Sequence, residues 1–321
     1  MLPTLIFLAV CFVAYTNGAN ANFKGVASLY GSGTTTLRGA LWWGTATTFA
    51  GALGALFLAE GMLKKFSGKG LVPDVLAQSP EFLLAVAIGA ALTSLLACKL
   101  GFPVSTTHAL VGALVGAGLV GTGATVNFSA LGKNFLQPLL ISPVLAVAAG
   151  ALVYRTLKLA HLAPEQRSKP LDTLHLLSAG AASFARGLND TPKMAALLLV
   201  MDANDVRLGL VAVALTMALG ALLDAERVAE TLGKQVTDMN PGQGFAASLA
   251  TAALVTTASF HSLPVSTTHV SVGALLGIGI TTRQAKWRKV GEILLAWVIT
   301  LPCAGLLAAL TYWLLEGAGI R

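Results

Sequence analysis

Residues Pro103–His108 read Pro-Val-Ser-Thr-Thr-His, and the same six letters return at Pro264–His269, 161 positions further along the chain. The match extends beyond this motif, because Val111–Leu114 and Val272–Leu275 both read Val-Gly-Ala-Leu at the same shift. Each copy of the motif stands directly before an apolar run rich in glycine and alanine. The return of so specific a polar motif indicates an internal duplication.

Two further matched pairs precede the hydroxyl motif in both halves. Asn20–Lys24 corresponds to Asn189–Lys193 at a shift of 169, and Gly54–Leu56 corresponds to Gly220–Leu222 at a shift of 166. Three matches in the same order and at similar shifts make duplication the economical interpretation.

The duplication predicts two transmembrane repeats. We place the first repeat at residues 1–160 and the second at residues 171–321. Residues 161–170 contain two prolines and charges of both signs, which is typical of a linker. An odd number of crossings in each repeat would give the two repeats opposite orientations in the membrane.

The composition excludes the soluble classes of protein. Of the 321 residues, 55% are hydrophobic and only 11% are charged, whereas soluble domains have about 25% charged residues. The mean hydropathy is +0.75 and the net charge is +7. About ten apolar runs approach the length of a membrane-spanning helix. The sequence therefore predicts an all-α, polytopic membrane protein, and its positive charge is attributed to loops rather than to nucleic-acid binding.

The duplicated hydroxyl motif has two physical interpretations. Proline suits the first turn of a helix, and a helix that begins there presents free N–H groups, the positive end of its dipole and hydroxyl donors to an anion. Alternatively, the serine and threonine side chains only cap ordinary helices. The duplication of the motif among apolar segments favours the first interpretation, with a substrate site between the repeats.

Several titratable residues accompany these motifs. His108 and His269 are candidates for zinc ligands, proton carriers or packing groups, and no HxxxH spacing accompanies them. Asp190 lies in a polar segment between apolar runs, where a carboxylate is costly. With oxygens from its neighbours it would form a Na⁺ site, with a raised pKa it would carry protons, or it would pair internally with Arg186 or Lys193.

These paired motifs resemble the inorganic phosphate transporter (PiT) family, which includes related sulfate permeases. The resemblance rests on the two Pro-Val-Ser-Thr-Thr-His segments and on the segments Gly18–Ala21 and Gly187–Asp190, and it covers nearly the whole chain. It implies a homodimeric secondary transporter of the cytoplasmic membrane, with two inverted repeats and re-entrant or broken helices. It also implies coupling to Na⁺ or H⁺, with no other cofactor.

The resemblance carries over site residues by motif position. The implied phosphate contacts are Ser105, Thr106, Thr107, Ser266, Thr267, Thr268, Asn20 and Asn189. The implied cation-coupling positions are Asp190, Asn20, Asn189 and the position of Ala21.

Ala21 departs from the family pattern, which has aspartate after asparagine in both halves. Alanine removes a charge and two oxygen ligands, so a cation site that used this carboxylate would be weakened or lost. The change indicates altered coupling, an inactivating substitution or a different anion such as sulfate. On this basis the substitution Ala21→Asp is expected to raise cation-coupled uptake.

Cation-coupled uptake of inorganic phosphate is the leading functional prediction. Sulfate transport on the same scaffold is the nearest alternative, because both anions are tetrahedral oxyanions. A passive anion channel would need a continuous polar lining, which the few charges within the apolar segments argue against. An enzyme is not expected, since His161, His175 and His261 stand outside any catalytic motif.

Overall fold

The computed structural model describes residues 2–58, 60–123, 125–199 and 203–319. Regular secondary structure in these ranges is helical, which confirms the all-α prediction. The α-helices of the described ranges are α1 (Leu2–Ala21), α2 (Ala27–Gly31), α3 (Leu37–Leu58), α4 (Glu60–Phe66), α5 (Asp74–Ala77), α6 (Pro80–Lys99), α7 (Thr106–Thr122), α8 (Phe128–Leu131), α9 (Gln137–Leu159), α10 (Lys169–Ala195), α11 (Ala203–Asp224), α12 (Glu226–Lys234), α13 (Pro241–Phe260), α14 (Thr267–Thr282) and α15 (Trp287–Gly317).

Several helical segments have the length and composition of membrane spans. Among the described residues there are five of them: Leu2–Gly25, Pro80–Lys99, Phe128–Leu159, Val206–Asp224 and Trp287–Gly317. On α9 and α15, large apolar side chains such as those of Val144 and Leu306 are exposed. This pattern fits helices that face lipid, and it agrees with the predicted polytopic membrane protein.

Helices of each half pack against helices of the other half in equivalent pairs. Helix α1 packs against α11, and its counterpart α10 packs against α3. Helix α7 packs against α15, and its counterpart α14 packs against α9. Each contact thus has an equivalent in which the halves are interchanged, as a pseudo-two-fold arrangement of repeats requires. The inverted orientation of the repeats in the membrane stays a prediction.

The polar segment at residues 186–193 does not interrupt its helix. Helix α10 continues through it to Ala195 and passes into a 3₁₀ helix at Ala196–Leu198. Arg186, Asp190 and Lys193 stand three and four residues apart, so they pair with one another on the helix. In the first half, α1 ends at Ala21 and a 3₁₀ helix follows at once.

A short connection joins α9 to α10 in the region where a linker is predicted at residues 161–170. Helix α9 ends at Leu159 and α10 begins at Lys169, so residues 160–168 separate them. Within this connection Arg167 pairs with Asp172 at 2.7 Å. It also donates hydrogen bonds to the carbonyl oxygens of Gly33 and Thr34, which fasten the connection to the first half. The domain boundaries themselves stay a prediction.

Glycines allow the exchanged helices to approach closely. A Cβ atom at Gly18 would lie 1.9 Å from the carbonyl oxygen of Met217 in α11, and one at Gly187 would lie 2.1 Å from that of Thr48 in α3. Gly116 has the same relation to α15, where the carbonyl oxygen of Gly305 would lie at 2.0 Å. Small residues of this kind are the usual contact points between membrane helices.

We therefore expect Gly187→Ala to destabilise the protein by about 1–3 kcal/mol, because its methyl group must displace backbone rather than a flexible side chain. The measurement is the thermal unfolding of the purified protein in detergent. Gly291→Ala is the matched control, since a Cβ atom at this helical glycine meets nothing within 4 Å. Equal melting temperatures for the two variants would contradict the packing argument.

Candidate functional site

The two hydroxyl motifs begin helices, and their serines are the caps. The Ser105 side chain accepts the amide N–H of His108 at 3.2 Å, and the Ser266 side chain accepts that of His269 at 3.1 Å. Helices α7 and α14 therefore start directly after these serines. The capping interpretation holds for both serines, and it leaves the following threonines to make other contacts.

The last threonine of each motif reaches across to the other motif. The Thr268 hydroxyl donates to the carbonyl oxygen of Val104 at 2.7 Å, and the Thr107 hydroxyl donates to that of Val265 at 3.3 Å. These four residues correspond in pairs at the shift of 161. The two helix N-termini, predicted from separate parts of the chain, thus meet at one place.

Asp190 lies buried at this meeting point and pairs with cationic side chains. Its Oδ1 atom lies 2.9 Å from Lys193 Nζ, and its Oδ2 atom lies 3.5 Å from Arg186 Nε. Oδ2 also accepts hydrogen bonds from Thr267 at 3.2 Å and from Asn17 at 3.5 Å. Of the three interpretations open from the sequence, the internal ion pair is the one that the structure contains.

The repeat-matched lysines make equivalent contacts with the motif backbones. Lys193 Nζ donates to the carbonyl oxygen of Val265 at 3.0 Å, and Lys24 Nζ donates to that of Val104 at 2.8 Å. Lys193 also donates to the Thr107 hydroxyl at 3.0 Å. Both lysines are buried at the site, so neither extends to a membrane surface.

Asn17 and Arg186 also belong to the site, although the sequence suggested Arg186 only as an ion-pair partner of Asp190 and did not select Asn17. Arg186 Nη2 donates to Asn17 Oδ1 at 2.5 Å, and Nη1 donates to the Thr48 hydroxyl at 3.2 Å. Asn17 in turn donates to the Thr106 hydroxyl at 2.8 Å. Asn17 and Arg186 correspond at the shift of 169. That correspondence was the signal that could have identified them.

Neither of the two predicted asparagines makes a hydrogen bond to Asp190 in the described part of the chain. Asn20 donates to the Phe102 carbonyl oxygen at 2.8 Å and accepts the Val104 N–H at 2.9 Å. Asn189 instead donates to the Ser259 hydroxyl at 3.0 Å, and its own Oδ1 has no hydrogen-bond partner there. The loop before the first motif is therefore fixed by its asparagine, and the second loop is not.

The motif histidines pack together behind the helix starts. The rings of His108 and His269 are 4.7 Å apart, and Trp297 lies 4.0 Å from the second ring. His269 Nδ1 lies 3.0 Å from the Leu139 carbonyl oxygen. No group of metal-binding side chains is found among the described residues. This arrangement favours the packing role over zinc binding.

The buried charges of the site do not balance. Among the residues whose side-chain burial the structure describes, which leaves out residues 58–60, 122 and 200–205, the buried charged ones are Lys24, Arg186, Lys193 and Asp190. Three cations thus accompany a single carboxylate, and the positive ends of α7 and α14 point at the same region. The site carries a surplus of two positive charges, which suits a divalent anion.

Comparison with known proteins agrees with this geometry. The model of the phosphate transporter family matches residues 17–170 and again residues 159–308. The chain belongs to the phosphate transporter family. It is 28% identical to a probable low-affinity inorganic phosphate transporter of Bacillus subtilis, with 98% of both chains covered. It is 30% identical to one of Rhizobium meliloti, with 98% of this chain and 96% of the relative covered.

A solved structure shares the fold. It is the sodium-dependent phosphate transporter, with a TM-score of 0.85 and 22% identity, and the match covers 98% of this chain and 99% of that structure. The family and these relatives are transporters, which confirms that the chain is a membrane transporter rather than an enzyme. Phosphate, the anion that the family resemblance implied, is the substrate that the family's name gives.

Asp190→Asn should lower stability by about 3–5 kcal/mol, because it leaves two buried cations without a charged partner. Thermal unfolding in detergent measures the effect. Asp238→Asn is the control, since Asp238 pairs with Lys286 at the surface, where its side chain is 69% exposed, and loss of such a pair costs about 1 kcal/mol or less. A small effect at Asp190 would show that its ion pairs are not structural.

Proposed function

We propose that this protein takes up inorganic phosphate across the cytoplasmic membrane by secondary active transport, driven by a cation gradient of Na⁺ or H⁺. The observation that supports this most directly is the unbalanced charge at the meeting point of α7 and α14. Three buried cations, one carboxylate and two helix N-termini would be neutralised by a phosphate dianion.

The threonines of the hydroxyl motifs are the proposed phosphate contacts. Thr106, Thr107, Thr267 and Thr268 are buried beside the cations and stand on the first turns of α7 and α14. Backbone N–H groups in a first helical turn have no partner within the helix. Hydroxyl and amide donors from two opposed helices would surround a tetrahedral oxyanion on several sides. Ser105 and Ser266 hold these turns in place as caps.

The reciprocal packing of the two halves supports a transport cycle in which the halves alternate around a shared site. The proposed site lies where elements of both halves meet, which is where transporters with repeated domains bind substrate. The motif loops are held differently, because Asn20 binds the Phe102–Val104 backbone and Asn189 does not bind its counterpart. Such inequality between equivalent elements is expected of a transporter whose halves alternate. A homodimer is proposed from the family resemblance.

Uptake of labelled phosphate into proteoliposomes tests the proposal. We expect phosphate to accumulate when an inward Na⁺ or H⁺ gradient is imposed and to equilibrate only when no gradient is present. Thr106→Val should reduce uptake about tenfold, the effect of losing a hydrogen bond to a charged ligand, because the Thr106 hydroxyl accepts a hydrogen bond from Asn17 and can donate its own proton to the anion. Thr281→Val is the control, since its hydroxyl bonds only its own helix, at the Gly277 carbonyl oxygen. Equilibration under every gradient would indicate a passive channel instead.

Competition with unlabelled sulfate distinguishes the two oxyanions. Phosphate that retains a proton can donate a hydrogen bond to the site, for example to the carboxylate of Asp190, whereas sulfate only accepts hydrogen bonds. We expect excess sulfate to inhibit phosphate uptake weakly at a pH where the phosphate dianion predominates, because that dianion balances the charge of the site and still has one proton to donate. Inhibition by sulfate that equals inhibition by unlabelled phosphate would favour a sulfate permease.

A further inference from the structure

The Lys193 ammonium sits in a complete set of oxygen ligands. Its Nζ atom lies 2.9 Å from Asp190 Oδ1, 3.0 Å from Thr107 Oγ1 and 3.0 Å from the carbonyl oxygen of Val265. An ammonium group has three N–H donors, and each finds one of these oxygens. The Lys193 side chain is fully buried, so its ammonium group has no contact with solvent in this conformation.

A carboxylate, a hydroxyl and a backbone carbonyl are also the ligands that a hard metal cation takes from proteins. The ammonium and a metal ion cannot occupy these three oxygens together. We propose that Lys193 is a built-in cation that replaces a coupling Na⁺ at Asp190, so that the anion binds here without Na⁺. This inference rests on the proposed function. Of the two coupling cations named there, it excludes Na⁺ at this site.

Lys24, the counterpart of Lys193, shares with it the contact to the motif backbone, which is the one side-chain hydrogen bond of Lys24 in the described part of the chain. Lys24 Nζ donates to the Val104 carbonyl oxygen as Lys193 Nζ does to that of Val265. Three residues before Lys193 stands Asp190, but three residues before Lys24 stands Ala21.

Among the described residues no carboxylate lies within 4 Å of Lys24 Nζ. Lys24 therefore carries a buried charge that its own chain does not neutralise by contact. The anion is the group that supplies the missing negative charge at Lys24.

The two lysines thus have different roles, because alanine stands at position 21 where the second half has Asp190. Lys193 neutralises Asp190 and fills the cation position of the second half. Lys24 has lost the equivalent partner and faces the substrate. A small cavity of about 10 Å³, close to the size of one water molecule, adjoins Lys24, and Ser28, Ser248, Thr251 and Ser271 are among its lining residues. Polar space is therefore present beside the lysine that lacks a carboxylate.

The first test measures phosphate binding to the purified wild-type protein in detergent by isothermal titration calorimetry. Buffers of equal ionic strength contain either sodium chloride or choline chloride. The proposal expects dissociation constants that agree within about twofold. Affinity that falls tenfold or more without Na⁺ would overturn it. Absence of phosphate binding in both buffers would overturn the proposed function, and the next test still decides the role of Lys193.

The second test measures thermal unfolding as a function of Na⁺ concentration, without phosphate. Lys193→Gln vacates the ammonium position and leaves Asp190, Thr107 and the Val265 carbonyl free to bind Na⁺. Its melting temperature should rise saturably by several degrees with Na⁺, while the wild type and the charge-conserving Lys193→Arg variant should not respond. Lys24→Gln is the matched control, because Ala21 offers no carboxylate there. A wild-type response equal to that of Lys193→Gln would overturn the proposal.

The third test restores the carboxylate of the first half and does not depend on whether Lys193→Gln folds. Aspartate at position 21 would stand three residues before Lys24, as Asp190 stands before Lys193. Ala21→Asp should therefore neutralise Lys24 and weaken phosphate binding about tenfold in choline chloride, which is opposite in direction to the rise in cation-coupled uptake expected from the family pattern alone. Ala21→Asn, which has nearly the same volume and no charge, should weaken it less. An Ala21→Asp variant with unchanged or stronger phosphate binding, and with uptake that now requires Na⁺, would contradict the assigned role of Lys24.

Discussion

Asp190 is held between Lys193 and Arg186 along a short segment of α10, where all three side chains are almost fully buried. A buried carboxylate without cations, or buried cations without a carboxylate, would be strongly destabilising. The cluster therefore keeps α10 helical through its most polar segment. It also fixes Lys193 against the Val265 carbonyl, which ties α10 to the start of α14.

The reciprocal contacts of the two halves place the same groups on both sides of this cluster. Glycines at helix crossings let α1 and α10 pack on α11 and α3 almost backbone to backbone. That close packing brings Asn17 of α1 within hydrogen-bond distance of Arg186 of α10, although 169 positions separate them in the chain. The site is a product of the duplication, since neither half contains all of its parts.

The sequence predicted the helices well because apolar runs and helices coincide: the apolar run 136–157, for example, covers most of α9 (Gln137–Leu159). It predicted the helix starts at the hydroxyl motifs because proline and serine have defined capping preferences. It did not predict that the polar segment 186–193 stays helical, since ion pairing within the helix is a side-chain effect that polarity alone does not reveal. The carbonyl oxygens of Val104 and Val265 could not be predicted, because any residue type supplies a backbone carbonyl.

The difference between the halves carries more information about mechanism than their similarity. Equivalent residues make equivalent contacts at the lysines and at Thr107 and Thr268, so the duplicated framework is intact. Against that framework, Ala21 removes one carboxylate while Lys24 stays buried. A buried ammonium without a carboxylate is unfavourable in the empty protein and favourable once an anion arrives. Pairing with the anion removes this unfavourable free energy, so an unpaired Lys24 increases the affinity for the substrate. A lysine charge that belongs to the protein then takes the place of a bound metal ion.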